Sequence, residues 1–309
     1  MSEPLMDYAA ETIAVGSKSF AAASSLFDSA TRRSVLMLYA WCRHCDDIID
    51  GQTLGFDAAP PSAEEAARRL ARLKESTLRA CAGEPVEEPA FAAFQDVALR
   101  HDIGPGLALA HLEGFAMDAR GARYDTFDDT LQYCYHVAGV VGLMMARVMG
   151  VRDEAALDRA CDLGLAFQMT NIARDIVEDA HAGRCYLPRE WLDESGISPD
   201  RLTDPANRRA LAQVAQRLVQ AAEPYYASAH GGLESLPLRS AWAIGTAHGV
   251  YRQIGLNVAT AGPRAWDRRQ GTTRMEKLGL LVKGAASALG SRIGSSAARN
   301  PALWQRPQV

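Results

Sequence analysis

Alanine and leucine recur through this chain at the 3.6-residue spacing of a helix, and alternating β-branched runs closed by Asn-Gly or Asp-Gly turns are missing. The sequence therefore predicts an all-α protein. Gly16, the stretch from Gly51 to Pro61, Gly83-Glu84-Pro85 and Gly183 punctuate the pattern. Between them helices are expected over about Leu5 to Val15, Asp28 or Ser29 to Asp50, 62–81, 90–101, 105–120, Thr126 to Gly150 and Asp153 to Ala180. A short helix around Glu190 to Glu194 and longer ones over about 205–229, 237–260 and 272–288 follow. Ser62-x-x-Glu65 reads as a capping box, Pro205 as a first helical residue and Pro224 as a kink. No linker and no fixed repeat divides the 309 residues, so one helical domain is expected over 1–290; residues 291–309, rich in Gly, Ala and Ser, are expected to fray.

Charge excludes one class of partner. With 33 Lys and Arg against 37 Asp and Glu, the net charge of -4 offers no basic field for nucleic acid. Glu3, Asp7 and Glu11 stand where a secretory signal would be basic and then apolar, so a cytoplasmic location is expected. The longest apolar run, Val137 to Ala146, falls short of the ~20 residues that span a membrane. Cys42-Arg43-His44-Cys45 matches C-x-x-C, but inside a helical pattern and without a second pair; it reads as two core-facing thiols.

Two polar ridges carry the chemistry. Gln168, Asn171, Asp175 and Asp179 fall three and four residues apart, on one face of one helix, and all offer oxygens that hard divalent cations take. Asp46 and Asp50 repeat the spacing upstream, with Arg43 and Tyr39 extending that face. Either ridge alone also describes the wet side of a surface helix. Three features point past that reading: the ridges contain no lysine, each has an arginine (Arg43 and Arg174) suited to bidentate phosphate contacts, and the pattern occurs twice. Mg²⁺ binds through a few carboxylates plus substrate phosphates, so an organic diphosphate bridged by metal is the expected ligand.

Four blocks then carry a resemblance: Tyr39-Ala40-Trp41-Cys42-Arg43-His44-Cys45-Asp46-Asp47-Ile48-Ile49-Asp50, the run from Tyr133 to Gly142, Gln168-x-x-Asn171-Ile172-x-Arg174-Asp175-x-x-Glu178-Asp179, and Gly183-Arg184-x-Tyr186-Leu187-Pro188. In order and spacing they resemble the squalene and phytoene synthase family. The resemblance implies an isoprenoid synthase fold around a central cavity. It implies head-to-head condensation of two geranylgeranyl diphosphates to phytoene through the cyclopropylcarbinyl prephytoene diphosphate. It also implies Mg²⁺ or Mn²⁺ held by Asp46, Asp50, Asn171, Asp175 and Asp179, and diphosphate contacts from Arg43, Arg174, Arg184, Tyr186, Ser17, Lys18 and Ser19. Tyr39 and Gln168 extend the ridges toward the substrate. Tyr133 matches a family tyrosine near the reacting carbons, and Phe20 with residues 138–146 would line the prenyl tunnel; a buried aromatic and plain core packing describe the same residues. A C30 synthase using farnesyl diphosphate and a non-catalytic scaffold of the same fold are the alternatives. Greasy substrate and product make peripheral membrane association a chemical expectation, while oligomeric state is not encoded in any feature of the sequence.

Overall fold

A computed structural model of the chain describes residues 3–16, 23–50, 62–293 and 296–308. Among the described residues every regular element is helical, as expected: α1 (Glu3–Gly16), α2 (Ser29–Asp50), α3 (Ala63–Cys81), α4 (Pro89–His101), α5 (Pro105–Ala119), α6 (Phe127–Cys134), α7 (Val140–Val148), α8 (Glu154–His181), α9 (Arg189–Glu194), α10 (Arg208–Gly231), α11 (Leu238–Ala261) and α12 (Arg274–Gly290).

The helices begin where short polar side chains can take up orphan N–H groups. Asp28 Oδ1 accepts from the backbone of Ala30 and Thr31 at 3.1 and 3.0 Å, Ser62 Oγ from Glu65 at 3.2 Å, and Asp153 from Ala156 at 2.9 Å. Thr126 with Asp129 and Thr273 with Glu276 form reciprocal capping boxes.

The hub is α8, which packs against α7, α10 and α11. At 28 residues it is about 42 Å long. Its apolar arc of Leu165, Met169, Ile172, Ala173, Ile176 and Val177 is buried, as the periodicity predicts. Two glycines set its closest approach: a Cβ on Gly142 or on Gly164 would fall 2.4 Å from the Ala160 or the Ala138 carbonyl oxygen, respectively. The small-residue face thus brings two backbones into contact, which any side chain would prevent.

Two expectations are corrected, and Pro205 keeps its expected place as a first helical residue. The helix predicted from Thr126 to Gly150 is interrupted by a π-helical turn, Tyr135–Gly139. Two imidazoles tie that turn to α5: His136 Nδ1 donates to the Ala110 carbonyl at 2.8 Å, and His111 Nδ1 donates to the His136 carbonyl at 3.2 Å. Pro205 opens a 3₁₀ turn, Pro205–Asn207, ahead of α10, because Asp204 Oδ1 caps Ala206 N at 2.9 Å before the helix proper begins.

The segment 296–308, expected to fray, lies along α8 and α10 instead. Arg299 forks onto Asp162 at 2.8 and 2.7 Å, and Ser228 Oγ donates to the same fully buried carboxylate at 2.5 Å. Arg306 pairs with Asp158 at 2.6 Å and also with Glu154, and Leu303 is buried. A buried carboxylate demands a partner, and the tail supplies one. All six cysteines are unpaired, in line with the reduced-thiol reading.

Candidate active site

Along α8 opens a cavity of about 660 Å³. Ala156, Ala160, Leu163, Gly164, Phe167, Gln168 and Asn171 line it, so one face of the helix borders the space for about 22 Å. Val141 and Met145 of α7, Val250 of α11, and Tyr39 and Cys42 of α2 close the other sides. The walls are apolar over most of this length. Its polar lining includes Tyr39, Gln168 and Asn171 as well as Arg159, Arg274 and Lys277, and Asp175 and Asp179 continue the Gln168–Asn171 face one and two turns further on.

Arginines grip the ridge on α8. Arg174 forks onto Asp175 at 2.8 and 2.6 Å, and Arg269 reaches Asp175 at 3.0 Å and Glu178 at 2.6 Å. Asn171 donates to Gln168 at 3.3 Å, while its own Oδ1 is buried without a partner. Burial, with the neighbouring Asp175 adding to it, raises Asp179 to about 7 against the opposing pull of Arg184. Gly183 explains how Arg184 comes to stand there. Its φ of +74° lets the chain turn back, so that Gly183 N bonds the Ala180 carbonyl at 3.1 Å and Arg184 N the Asp179 carbonyl at 2.8 Å.

On α2, Arg43 pairs with Asp46 at 3.0 Å and with Asp47 at 2.5 Å. Tyr39, one turn back, borders the cavity and faces Tyr251, which in turn senses Arg174 and Asp175. Tyr39 of the first ridge and Gln168 with Asn171 of the second therefore border one cavity, whose lining does not include Asp46, Asp175 or Asp179. Asp50 ends α2, but its side chain, like Ser17, Lys18, Ser19 and Phe20, lies outside the described residues.

Tyr133 and Tyr186 come together without lining the large cavity. Their rings stack at 4.5 Å and 15°, Tyr124 leans on both, and Tyr133 donates its hydroxyl to Asp118 Oδ2 at 3.1 Å.

Among the described residues no three His, Cys, Asp or Glu side chains are assembled as a metal site. The donor chemistry nonetheless fits a hard cation: Asn171 Oδ1 is a buried oxygen lacking a donor, and Asp175 crowds a carboxylate already raised by burial. The two ridges supply acid and amide oxygens; the arginines hold the carboxylates in place.

Three site residues escape the sequence reading. Tyr251 stacks on Phe167 at 4.1 Å beside the cavity, Asp118 receives Tyr133, and Arg269 grips Asp175. The stretch Ala261 to Trp266 looks like an interruption in sequence, yet Trp266 Nε1 donates to the Ala173 carbonyl at 3.2 Å. That bond pins the loop to α8 and brings Arg269 over the ridge. The adjacent pair Arg268-Arg269 was the available signal.

With this geometry in view, residues 13–277 match the family model for squalene/phytoene synthase. The chain belongs to the squalene/phytoene synthase family. It is 63% identical over 308 residues to the 15-cis-phytoene synthase of Pantoea ananas, covering 99% of this chain and 100% of that one. It is 49% identical to the 15-cis-phytoene synthase of a Paracoccus species, over 96% of each. A crystal structure of a dehydrosqualene synthase with a ligand superposes with a TM-score of 0.82 at 26% identity, covering 93% of this chain and 98% of that chain. The squalene synthase of Alicyclobacillus acidocaldarius shares the fold at a TM-score of 0.71. Family and fold make the chain a prenyltransferase with the isoprenoid synthase fold.

Proposed function

We propose that the chain makes 15-cis-phytoene by joining two geranylgeranyl diphosphates head to head, with prephytoene diphosphate as the intermediate. The observation that carries this reading is the continuity of α8: from Ala156 to Phe167 one helical face is cavity wall, apolar but for Arg159, which is tied to the Ser228 carbonyl at 2.8 Å, and from Gln168 to Asp179 it is a polar ridge. A prenyl chain lies along the first part and its diphosphate at the second. The relatives at 63% and 49% identity, both named 15-cis-phytoene synthase, choose the C40 product over a C30 one.

Asp46, Asp50, Asn171, Asp175 and Asp179 would hold Mg²⁺ or Mn²⁺, which when bound neutralises the departing diphosphate. Arg43, Arg174, Arg184 and Arg269 bind diphosphate oxygens and release their carboxylates as they do so. Ser17, Lys18, Ser19 and Phe20, to which the resemblance assigns diphosphate and prenyl-tail contacts, lie outside the described residues. The carbon that loses diphosphate, allylic in the first step and cyclopropylcarbinyl in the second, becomes a cation, and the apolar walls keep water from it. Two diphosphates and two protons leave over the whole sequence, so no reductant is consumed. The enzyme works at the surface of a membrane, where its long-chain substrate and product reside.

The purified protein with geranylgeranyl diphosphate and Mg²⁺ should form a C40 hydrocarbon without NADPH. Release of only an uncondensed alcohol or a cyclised terpene would overturn the reading.

A further inference from the structure

The outer side of α12 carries Met275, Leu278, Val282 and Leu289, and Ile293 stands just beyond its end; these five are between 56% and 85% exposed. Their spacing puts them on one stripe, and the exposed Gly279 and Ala286 fill the gaps without adding charge. From Met275 to Leu289 the stripe covers about 21 Å of helix. A contiguous exposed apolar face of this kind marks an interaction site.

The helix has no freedom to roll the stripe inward. Its opposite side is pressed onto α11, where a Cβ on Gly284 would fall 2.4 Å from Thr246 Oγ1 and where Trp242 Nε1 donates to the Leu281 carbonyl at 2.9 Å.

Charge identifies the partner. Lys283 and Arg274 flank the stripe, Arg274 also lining the cavity, and Arg292 stands beside Ile293 with its guanidinium donating to the Glu234 and Leu236 carbonyls; Lys277 turns to the cavity, and the one acid of the segment, Glu276, has its carboxylate engaged with Thr273 N at 2.7 Å. This basic segment belongs to a chain whose net charge is -4. Two copies pairing stripe to stripe would bring these like charges together, which disfavours self-association. An anionic lipid surface satisfies both features, taking apolar side chains among its acyl chains and basic ones on its phosphates. Leu278 adds the link to the cavity, because it is exposed on the stripe and also lines the cavity wall with Leu281. No described helix is long and apolar enough to cross a membrane, so the contact is along the surface.

We propose that α12 lies on an anionic phospholipid bilayer, with the cavity opening beside it so that a hydrocarbon product passes into the acyl region. Only that last step rests on the proposed reaction; the lipid contact is tested without substrate. Flotation with phosphatidylglycerol-containing vesicles should carry the full chain, with binding that falls as salt rises and that is weak to pure phosphatidylcholine. The triple variant Met275→Gln, Val282→Gln, Leu289→Gln, none of which lines the cavity, should bind anionic vesicles at least tenfold more weakly, with wild-type circular dichroism and wild-type turnover of detergent-dispersed substrate. Lys283→Glu should weaken anionic binding about fivefold or more and leave neutral vesicles unaffected. The inference is overturned by a wild type that ignores anionic vesicles, or by a triple variant that binds as the wild type does. A lipid-free dimer that the triple substitution dissociates would assign the stripe to a second copy and overturn it as well.

Discussion

Arg269 reaches Asp175 at 3.0 Å across 94 residues of sequence, so the central carboxylate of the α8 ridge is shared by two arginines, the other being its neighbour Arg174. In the proposed reaction this carboxylate would exchange a guanidinium for a metal cation, and the freed guanidinium would bind the arriving diphosphate. Asp175→Ala should abolish turnover while circular dichroism shows the helical fold retained. Residual activity near the wild-type level would remove Asp175 from the site.

Arg269→Ala should cost less, because Arg174 remains. Loss of a charge-assisted contact of ~1.5–3 kcal/mol lowers kcat/KM roughly tenfold to a hundredfold. Steady-state kinetics with varied diphosphate substrate measures it, and an unchanged kcat/KM would place Arg269 outside the substrate's reach.

Asp179 gives the metal-free protein a pH dependence. Burial, then Asp175, lifts its folded-state value to about 7 from an ordinary 3.8. A raised carboxyl contributes stability that is fully present below the ordinary value and is lost as pH rises through about 7. Thermal unfolding in chelator should therefore show the melting temperature falling by several degrees between pH 5 and pH 8 more steeply in the wild type than in Asp179→Asn. Identical pH profiles would contradict the assignment.

The C-terminal segment has its own test. Arg299→Ala strands the buried Asp162 carboxylate and should destabilise the fold by about 3–5 kcal/mol. Urea denaturation reads this directly; a loss under about 1 kcal/mol would mean that the tail is held mainly by other contacts.

What the sequence discloses follows from how local each feature is. The acidic ridges, the caps at Asp28, Ser62 and Thr126, and the turn at Gly183 depend on residues within a few positions of one another, and all were legible. Arg269 was not, because its role depends on the Trp266 bond that folds a loop back onto α8. The π turn at Tyr135–Gly139 escaped for the same reason: its two imidazole ties reach 25 and 26 residues away. Composition misled at the tail, where Ala and Ser suggested fraying while Arg299 finds Asp162 137 residues earlier. Helical periodicity carried no information on cavity length either, since that depends on how Gly142 and Gly164 let α7 and α8 close on each other.

The central claim is that the cavity and ridge of α8 join two C20 chains. Geranylgeranyl and farnesyl diphosphates supplied together with Mg²⁺ in one vessel, with product masses read by mass spectrometry, test it most directly. The account predicts a C40 hydrocarbon as the dominant product; a C30 hydrocarbon in its place, or only uncondensed alcohols, would contradict it.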